Sequence, residues 1–379
     1  MTSLLFTPLV LRGLTLRNRV MVSPMAQYCA DGGKLTDWHL VHLGKFAQSG
    51  VGLVCVEATK VERRGMGTRG DTGLWDDDQT SSFKRVVDFI KTQGAAAAIQ
   101  LNHAGRKAGT LRPWEGWGAL DRAQPIAEGH WEAIGPSAVP YRSGWPVPRE
   151  MTRADIGDVV DAWVQAARRA DQAGFDVLEV HAAHGYLIHQ FLSPASNRRT
   201  DGYGGDLQSR MRFGLEVIEA VRAVWPGHKP LFVRVSAEDE AGWTIEDTTT
   251  FVKAMKPLGV DLVDCSSGGI QPKSHTSFDE QSEPGYQVGY ASRIRAEAMI
   301  MTAAVGLIVE PSHAEEILRK GDADLIAIGR EMLRNPAWVL DARQRLGEDR
   351  LFDNLPAQYG WWLARRTETL ADRRARFVE

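Results

Sequence analysis

Eight short apolar runs, each followed by a stretch with helical periodicity, constrain this chain more than any other feature. The runs lie at 20–24, 52–57, 96–101, 177–182, 230–235, 261–266, 301–305 and 323–328. Each is nearly continuous rather than alternating, as expected of a parallel strand buried on both faces. The helical stretches lie at about 38–49, 79–93, 153–173, 208–225, 246–256, 288–299, 312–319 and 331–345. In 153–173, Ile156, Val159, Val160, Trp163, Ala166, Ala167 and Ala170 fall on one stripe at 3.6-residue spacing. Thr152 and Asp155 form a capping-box pattern before it, and Gly174 follows its end. Eight strands alternating with eight helices predict an α/β fold, a single (β/α)8 barrel over residues 1–379. An open doubly wound sheet is the alternative, but no G-x-G-x-x-G follows an early strand. Ahead of the barrel, Leu9–Leu11 and Leu14–Leu16 flank Arg12-Gly13 and predict a short β-hairpin.

Bulk properties exclude several classes. A net charge of −3, with both signs mixed along the chain, gives no nucleic-acid surface and no polybasic membrane patch. Cys29, Cys55 and Cys265 are far apart, which argues against a zinc ribbon, an iron–sulfur cluster or a disulfide framework. No apolar run is long enough to span a bilayer, and Pro8 and Gly13 interrupt the apolar N-terminus where a signal peptide would need a longer run. These features predict a cytoplasmic protein without a metal site.

Chemistry concentrates at the predicted strand ends. Ser23, Glu57, Gln100 with His103, His181 with His184, Arg234, Ser266, Gly306 and Arg330 stand at the C-terminal ends of the eight runs in order. In a barrel those positions ring one pocket. Two long connections, 105–150 with Trp114, Trp117, Trp131 and Trp145, and 266–287, fall on the same face, where long loops build binding sites. In HAAHGY (181–186), two imidazoles can donate to a developing oxyanion and the Tyr186 phenol can deliver a proton. A satisfied core histidine beside a surface tyrosine is the plainer alternative. Gly306 and Gly329-Arg330 fall after strands seven and eight, the usual phosphate site of such barrels. Arg234 in an otherwise apolar run needs a partner, either a structural carboxylate or an electron-rich ring edge. Gln100 can bond both C=O and N–H groups on such an edge. Lys107 either reaches a cofactor or is solvated.

The segments SPMAQY (23–28), EAT (57–59), QLNHAGRK (100–107), EVHAAHGYLIHQFLSPASNRRTDGYGG (179–205), FVRVS (232–236), PGYQV (284–288), AVGLI (304–308) and IGRE (328–331) resemble the old yellow enzyme family. The likeness is greatest to its xenobiotic reductase and YqjM-like bacterial branch, and it runs from about residue 4 to 365. It implies non-covalent FMN, with NADPH or NADH as reductant, and reduction of activated C=C bonds in unsaturated carbonyls or nitroalkenes. Ser23, Pro24, Met25, Ala26 and Ala58 would line the flavin, with His181 beside it. Gln100 and Arg234 would hold its pyrimidine edge, and Gly306, Gly329 and Arg330 its phosphate. His181 and His184 would hold the substrate oxygen, Tyr186 would protonate the α-carbon, and Tyr28 would add a second phenol. Ala26 stands where the branch usually has Cys. Trp361 and Trp362, in QYGWWLARR (358–366), stand near where relatives often place an arginine that reaches a neighbouring subunit. The resemblance therefore implies a homodimer or dimer of dimers in which the extension 357–379 helps to close a site. Docking of that extension on its own barrel is the alternative.

Overall fold

The computed structural model describes residues 3–120, 131–272 and 283–378. Residues 121–130 and 273–282, parts of the two long connections, lie outside that description. The expected hairpin is present as β1 (Leu9–Leu11) and β2 (Leu14–Leu16), paired antiparallel with Leu9 opposite Leu16. The first three apolar runs are β3 (Val20–Val22), β4 (Leu53–Lys60) and β5 (Ala96–Asn102). Two-residue strands β6 (Ile134–Gly135) and β7 (Arg149–Glu150) pair within the first long connection. The remaining runs are β8 (Val177–Ala182), β9 (Leu231–Ser236), β10 (Leu262–Ser266), β11 (Met301–Ala304) and β12 (Leu325–Ile328). The eight long-run strands form one closed parallel barrel in chain order, and β12 completes it by pairing with β3, Ile326 opposite Val20.

Strand alternation divides the core in two. Side chains of one parity, such as Val20, Val54, Val56, Ile99, Leu178, Val180 and Val233, pack outward against the helices. The other parity fills the barrel with Met21, Leu53, Cys55, Ala98, Val177, Phe232, Leu262, Ala303, Leu325 and Ala327, and Leu9, Leu11 and Leu16 of the hairpin join that inner cluster. Moving up each strand, inward residues turn polar: Val177, Glu179, His181 on β8; Phe232, Arg234, Ser236 on β9; Leu262, Asp264, Ser266 on β10. The lower barrel is therefore a packed core, and its upper half holds chemistry.

Helices α1 (Asp37–Gln48), α2 (Asp77–Thr92), α3 (Arg153–Gln172), α4 (Leu187–Leu192), α5 (Leu207–Val224), α6 (Ile245–Met255), α7 (Val288–Ala298) and α8 (Pro311–Lys320) cover the strands or lie on the loop face. The Thr152–Asp155 box caps α3: the Asp155 N–H donates to Thr152 Oγ1 at 3.1 Å and the Thr152 N–H to Asp155 Oδ2 at 2.8 Å. The stretch expected to be one helix over 331–345 is two, α9 (Arg330–Arg334) and α10 (Trp338–Arg345). Pro336 explains the break: it offers no N–H and drives Asn335 out of the helical region, to φ −130° and ψ 87°. A terminal helix, α11 (Ala357–Val378), follows. Among the described residues no helix is long and apolar enough to cross a membrane.

Candidate active site

The strand ends surround a cavity of about 680 Å³. It is lined by Ser23, Gln100, His181, His184, Arg234, Ser266, Gly306 and Arg330 of the expected ring, and by Pro24, Met25, Ala26, Tyr28, Ala58, Tyr186 and Gly329. Glu57 and His103 do not line it. A bulge in β4 between Val56 and Thr59 inserts one residue, so Ala58 takes the inward position that simple alternation gives Glu57. The Glu57 carboxylate instead accepts from the Gln27 N–H at 2.7 Å and lies 3.2 Å from His39 Nε2 on α1. His103 follows inward Gln100 at the opposite parity. It bonds Glu62 at 2.7 Å and accepts from the Gly105 N–H at 2.9 Å.

One wall carries the His-His-Tyr group. Ring centroids of His181 lie 5.1 Å from those of both His184 and Tyr186. The Ala183 N–H donates to His181 Nδ1 at 3.3 Å, which places the His181 proton on Nε2. His184 Nε2 lies 2.7 Å from Ser266 Oγ, while that hydroxyl is 3.1 Å from Gln287 Oε1, an acceptor Ser267 already serves at 2.9 Å. The Ser266 hydroxyl donates to Gln287 Oε1, so the 2.7 Å contact is filled by the His184 Nε2 proton and His184 Nδ1 is left an acceptor. His181 Nε2–H then donates to His184 Nδ1 across 3.4 Å, a long bond that a substrate oxygen can replace. Burial holds both imidazoles well below their ordinary pKa, followed by His184 and Arg234 for His181 and by Arg234 for His184, so both rings stay neutral. Burial, then Asp71 and Tyr141, raises the Tyr186 phenol, which stays protonated as a proton donor must. Tyr28, raised first by burial and then by Tyr186, meets Trp114 edge-on at 5.7 Å.

The barrel interior supports one edge of the floor. Gln100 Nε2 donates to Glu179 Oε1 at 2.7 Å, and Arg234 Nε lies 3.4 Å from Asp264 Oδ2. Burial raises both carboxyl groups, so Arg234 partners a pair that resists full ionisation. Ser23 Oγ and Arg234 Nε are buried without a hydrogen-bond partner among the described residues. Such groups want a ligand. At the opposite edge Gly306 has φ +124°, and a Cβ there would meet Gln287 Nε2 at 3.0 Å and the Tyr286 ring at 3.1 Å. Glycine leaves that backbone open beside Gly329 and Arg330.

Other contacts place the terminal tryptophans and Lys107. Trp361 and Trp362 do not line their own chain's cavity; they stack edge-on at 4.5 Å and are 52% and 68% exposed. Lys107 lines the cavity, and its Nζ donates to the backbone carbonyls of His184 and Gly269 at 2.7 and 2.6 Å. Tyr141 and Arg142 also line the cavity. Only the crowding of aromatic residues in the 105–150 connection signalled them.

A polar edge built on Gln100 and Arg234, an apolar side at Pro24, Met25, Ala26 and Ala58, and a glycine-opened cationic corner at Gly306 and Arg330 suit a flat heterocycle with a phosphate arm. Fold and site together define a flavin-dependent oxidoreductase on a (β/α)8 barrel. The chain belongs to the NADH:flavin oxidoreductase / NADH oxidase family, that of the old yellow enzymes, whose model matches residues 4–349. It is 47% identical to an NADPH dehydrogenase of Geobacillus thermodenitrificans (strain NG80-2), over 95% of this chain and 99% of that protein. A second NADPH dehydrogenase, of Geobacillus sp. (strain WCH70), is 45% identical over 92% of this chain and 96% of its own length. Among solved structures, morphinone reductase matches with a TM-score of 0.76 at 28% identity, covering 92% of this chain and 90% of that one. The enzyme is an FMN-dependent NAD(P)H oxidoreductase.

Proposed function

We propose that this enzyme reduces activated C=C bonds, those of α,β-unsaturated carbonyl compounds and nitroalkenes, with NADPH as reductant. The observation that carries this reading is the convergence of two neutral imidazoles and a protonated phenol on one cavity wall. FMN held by Ser23, Pro24, Met25, Ala26 and Ala58, by Gln100 and Arg234 at the pyrimidine edge, and by Gly306, Gly329 and Arg330 at the phosphate supplies the hydride relay between NADPH and alkene. His181 lies at the junction of that floor with the substrate wall. His181 Nε2–H, and His184 Nδ1–H once the Ser266 hydroxyl turns its proton to His184 Nε2, grip the substrate's carbonyl or nitro oxygen, where negative charge develops. A preorganised donor of this kind is worth about 3–4 kcal/mol in the transition state. Tyr186 delivers the proton to the α-carbon, and Tyr28 bounds the pocket beside it. The names of the curated relatives support NADPH over NADH.

The test is anaerobic turnover of 2-cyclohexenone with NADPH by the holoenzyme. Cyclohexanone formed in step with NADPH consumed supports the proposal. Turnover of quinones alone, with the enone untouched, overturns it.

The assembly we infer is a homodimer or a dimer of dimers in which α11 meets a neighbouring subunit. The exposed Trp361–Trp362 pair supports it, because adjacent bare indoles are costly in water. Deleting residues 357–379 should lower the native mass and raise the Michaelis constant; unchanged size and kinetics would refute the assignment.

A further inference from the structure

Lys107 ends a short turn, Gly105–Lys107, that follows β5. The turn clamps two loops. Gly105, at φ +58°, lies so close to Gln190 that a Cβ would meet its Oε1 at 2.3 Å. The Arg106 N–H donates to the same Gln190 Oε1 at 3.0 Å, and Arg106 Nη2 donates to the Ile270 carbonyl at 2.6 Å. Lys107 completes the clamp through its bonds to the carbonyls of His184 and Gly269. His184 is left-handed, at φ +58°, a conformation costly for a residue with a side chain. Both hydrogen bonds of Lys107 go to backbone carbonyls, whereas Lys60, on the barrel side, is paired with Asp71 at 3.4 Å. The Lys107 ammonium stands 5.3 Å from the Tyr186 ring centroid and 4.5 Å from that of Tyr141.

We propose that Lys107 is a positioning residue for alkene reduction: its hydrogen bonds hold the strained His184 backbone against Gly269, and its charge over the Tyr186 ring favours proton release from the phenol. The proposal rests on the reading of Tyr186 as proton donor. A cation over the ring stabilises the phenolate that remains once the proton has left. The two roles separate with pH. Burial first, then Arg106 on the same turn, pull Lys107 down to about 7, against the opposing pull of Glu240. The other groups facing it are neutral His184 and the Tyr141 and Tyr186 phenols; Lys60, paired with Asp71, stands over the same Tyr186 ring at 5.4 Å from its centroid. Below about pH 7 the ammonium is charged; above it a neutral amine still has two N–H donors for the two carbonyls, but its charge is gone.

The test compares the parent holoenzyme with Lys107→Arg and Lys107→Met. Flavin reduction by NADPH and reoxidation by 2-cyclohexenone are followed separately across pH. In parallel, 3-fluorotyrosine at position 186 reports the phenol's surroundings by fluorine NMR of the oxidised holoenzyme. The parent's enone step should slow as pH rises through about 7, and the fluorine signal should shift over the same range. Lys107→Arg keeps a permanent charge and should flatten both profiles. Lys107→Met should slow the enone step about 10²-fold at acid pH, with flavin reduction little changed. Fluorine titrations and pH profiles of Lys107→Met that superimpose on the parent would overturn the proposal. If the fluorine titration follows Lys107 but Tyr186→Phe leaves the enone step unchanged, the proton-donor reading fails while the coupling of Lys107 to residue 186 stands.

Discussion

Replacing Gly269 by alanine should damage substrate polarisation more than cofactor loading. Gly269 has φ +97°, and a Cβ built there lies 2.5 Å from His184 Cα, 2.6 Å from its carbonyl carbon and 2.8 Å from its oxygen. Ordinary carbon–carbon contact begins near ~3.5 Å, so the two loops must part by about 1 Å. All three atoms are backbone, and no side chain can swing aside to absorb the overlap. Gly185 faces the same junction, with only 2.2 Å between its own virtual Cβ and the Gly269 oxygen. The left-handed conformation alone costs an alanine about 1–3 kcal/mol. With the overlap, a total loss of roughly 2–4 kcal/mol follows, and at an unfolding entropy of about 2.1 cal/mol/K per residue the chain would melt roughly 2–5 °C lower. The parting also stretches the Lys107 bridge and moves His184 Nδ1 away from the substrate oxygen. Loss of one such donor slows the step it serves by about 10²–10³-fold. Calorimetry gives the stability change, and anaerobic stopped-flow spectroscopy of the holoenzyme separates flavin reduction by NADPH from reoxidation by 2-cyclohexenone. The expected result is a slowed enone step with flavin content and NADPH reduction largely kept. A stable variant with an undiminished enone step would show that the close contact of the two loops does not aim His184.

Ser266→Ala removes the hydroxyl whose proton, turned to His184 Nε2, makes Nδ1 a donor to an oxyanion, so binding of 4-hydroxybenzaldehyde, a phenolate mimic of the substrate oxyanion, should weaken about tenfold; titration of its long-wavelength charge-transfer band checks this, and an unchanged dissociation constant contradicts that proton switch. Glu179→Gln keeps an acceptor for Gln100 but cannot titrate. Burial, then Asp264, pushes the Glu179 carboxyl up to about 8, above its unfolded value of 4.5. Folding therefore takes up a proton: this contribution to stability is full below pH 4.5 and is lost as pH rises through about 8. The parent's melting temperature should decline over that window while that of Glu179→Gln declines less, and parallel curves would refute a protonated carboxyl in the barrel.

The barrel was legible because parallel strands buried on both faces leave short, nearly continuous apolar runs, and here all eight were uninterrupted enough to count. Polar residues at the C-terminal ends of those runs then stood out, which is why His181, Arg234 and Ser266 could be assigned to one pocket. Glu57 failed because a one-residue bulge reverses parity, and nothing in LVCVEATK marks where the bulge falls. His103 was a different kind of miss: counting in twos from Gln100 already turns it outward. Pro336 was a visible helix breaker within 331–345. Lys107 was beyond reach, since its partners are main-chain carbonyls 77 and 162 residues away, brought together by loop conformation and not by periodicity. The same holds for Tyr141 and Arg142, in a connection with little regular structure.

The central claim, that Tyr186 is the acid of an alkene reduction polarised by His181 and His184, is tested most directly by Tyr186→Phe in anaerobic half-reactions. Tyr186 packs against His181 at 5.1 Å, and the substitution removes only the phenolic hydroxyl from a half-buried ring. NADPH should bleach the yellow holoenzyme at the parental rate. Return of the colour on adding 2-cyclohexenone should slow about 10²–10⁴-fold, the range supplied by a positioned general acid. Colour returning at the parental rate, or both steps slowing equally, would contradict the account.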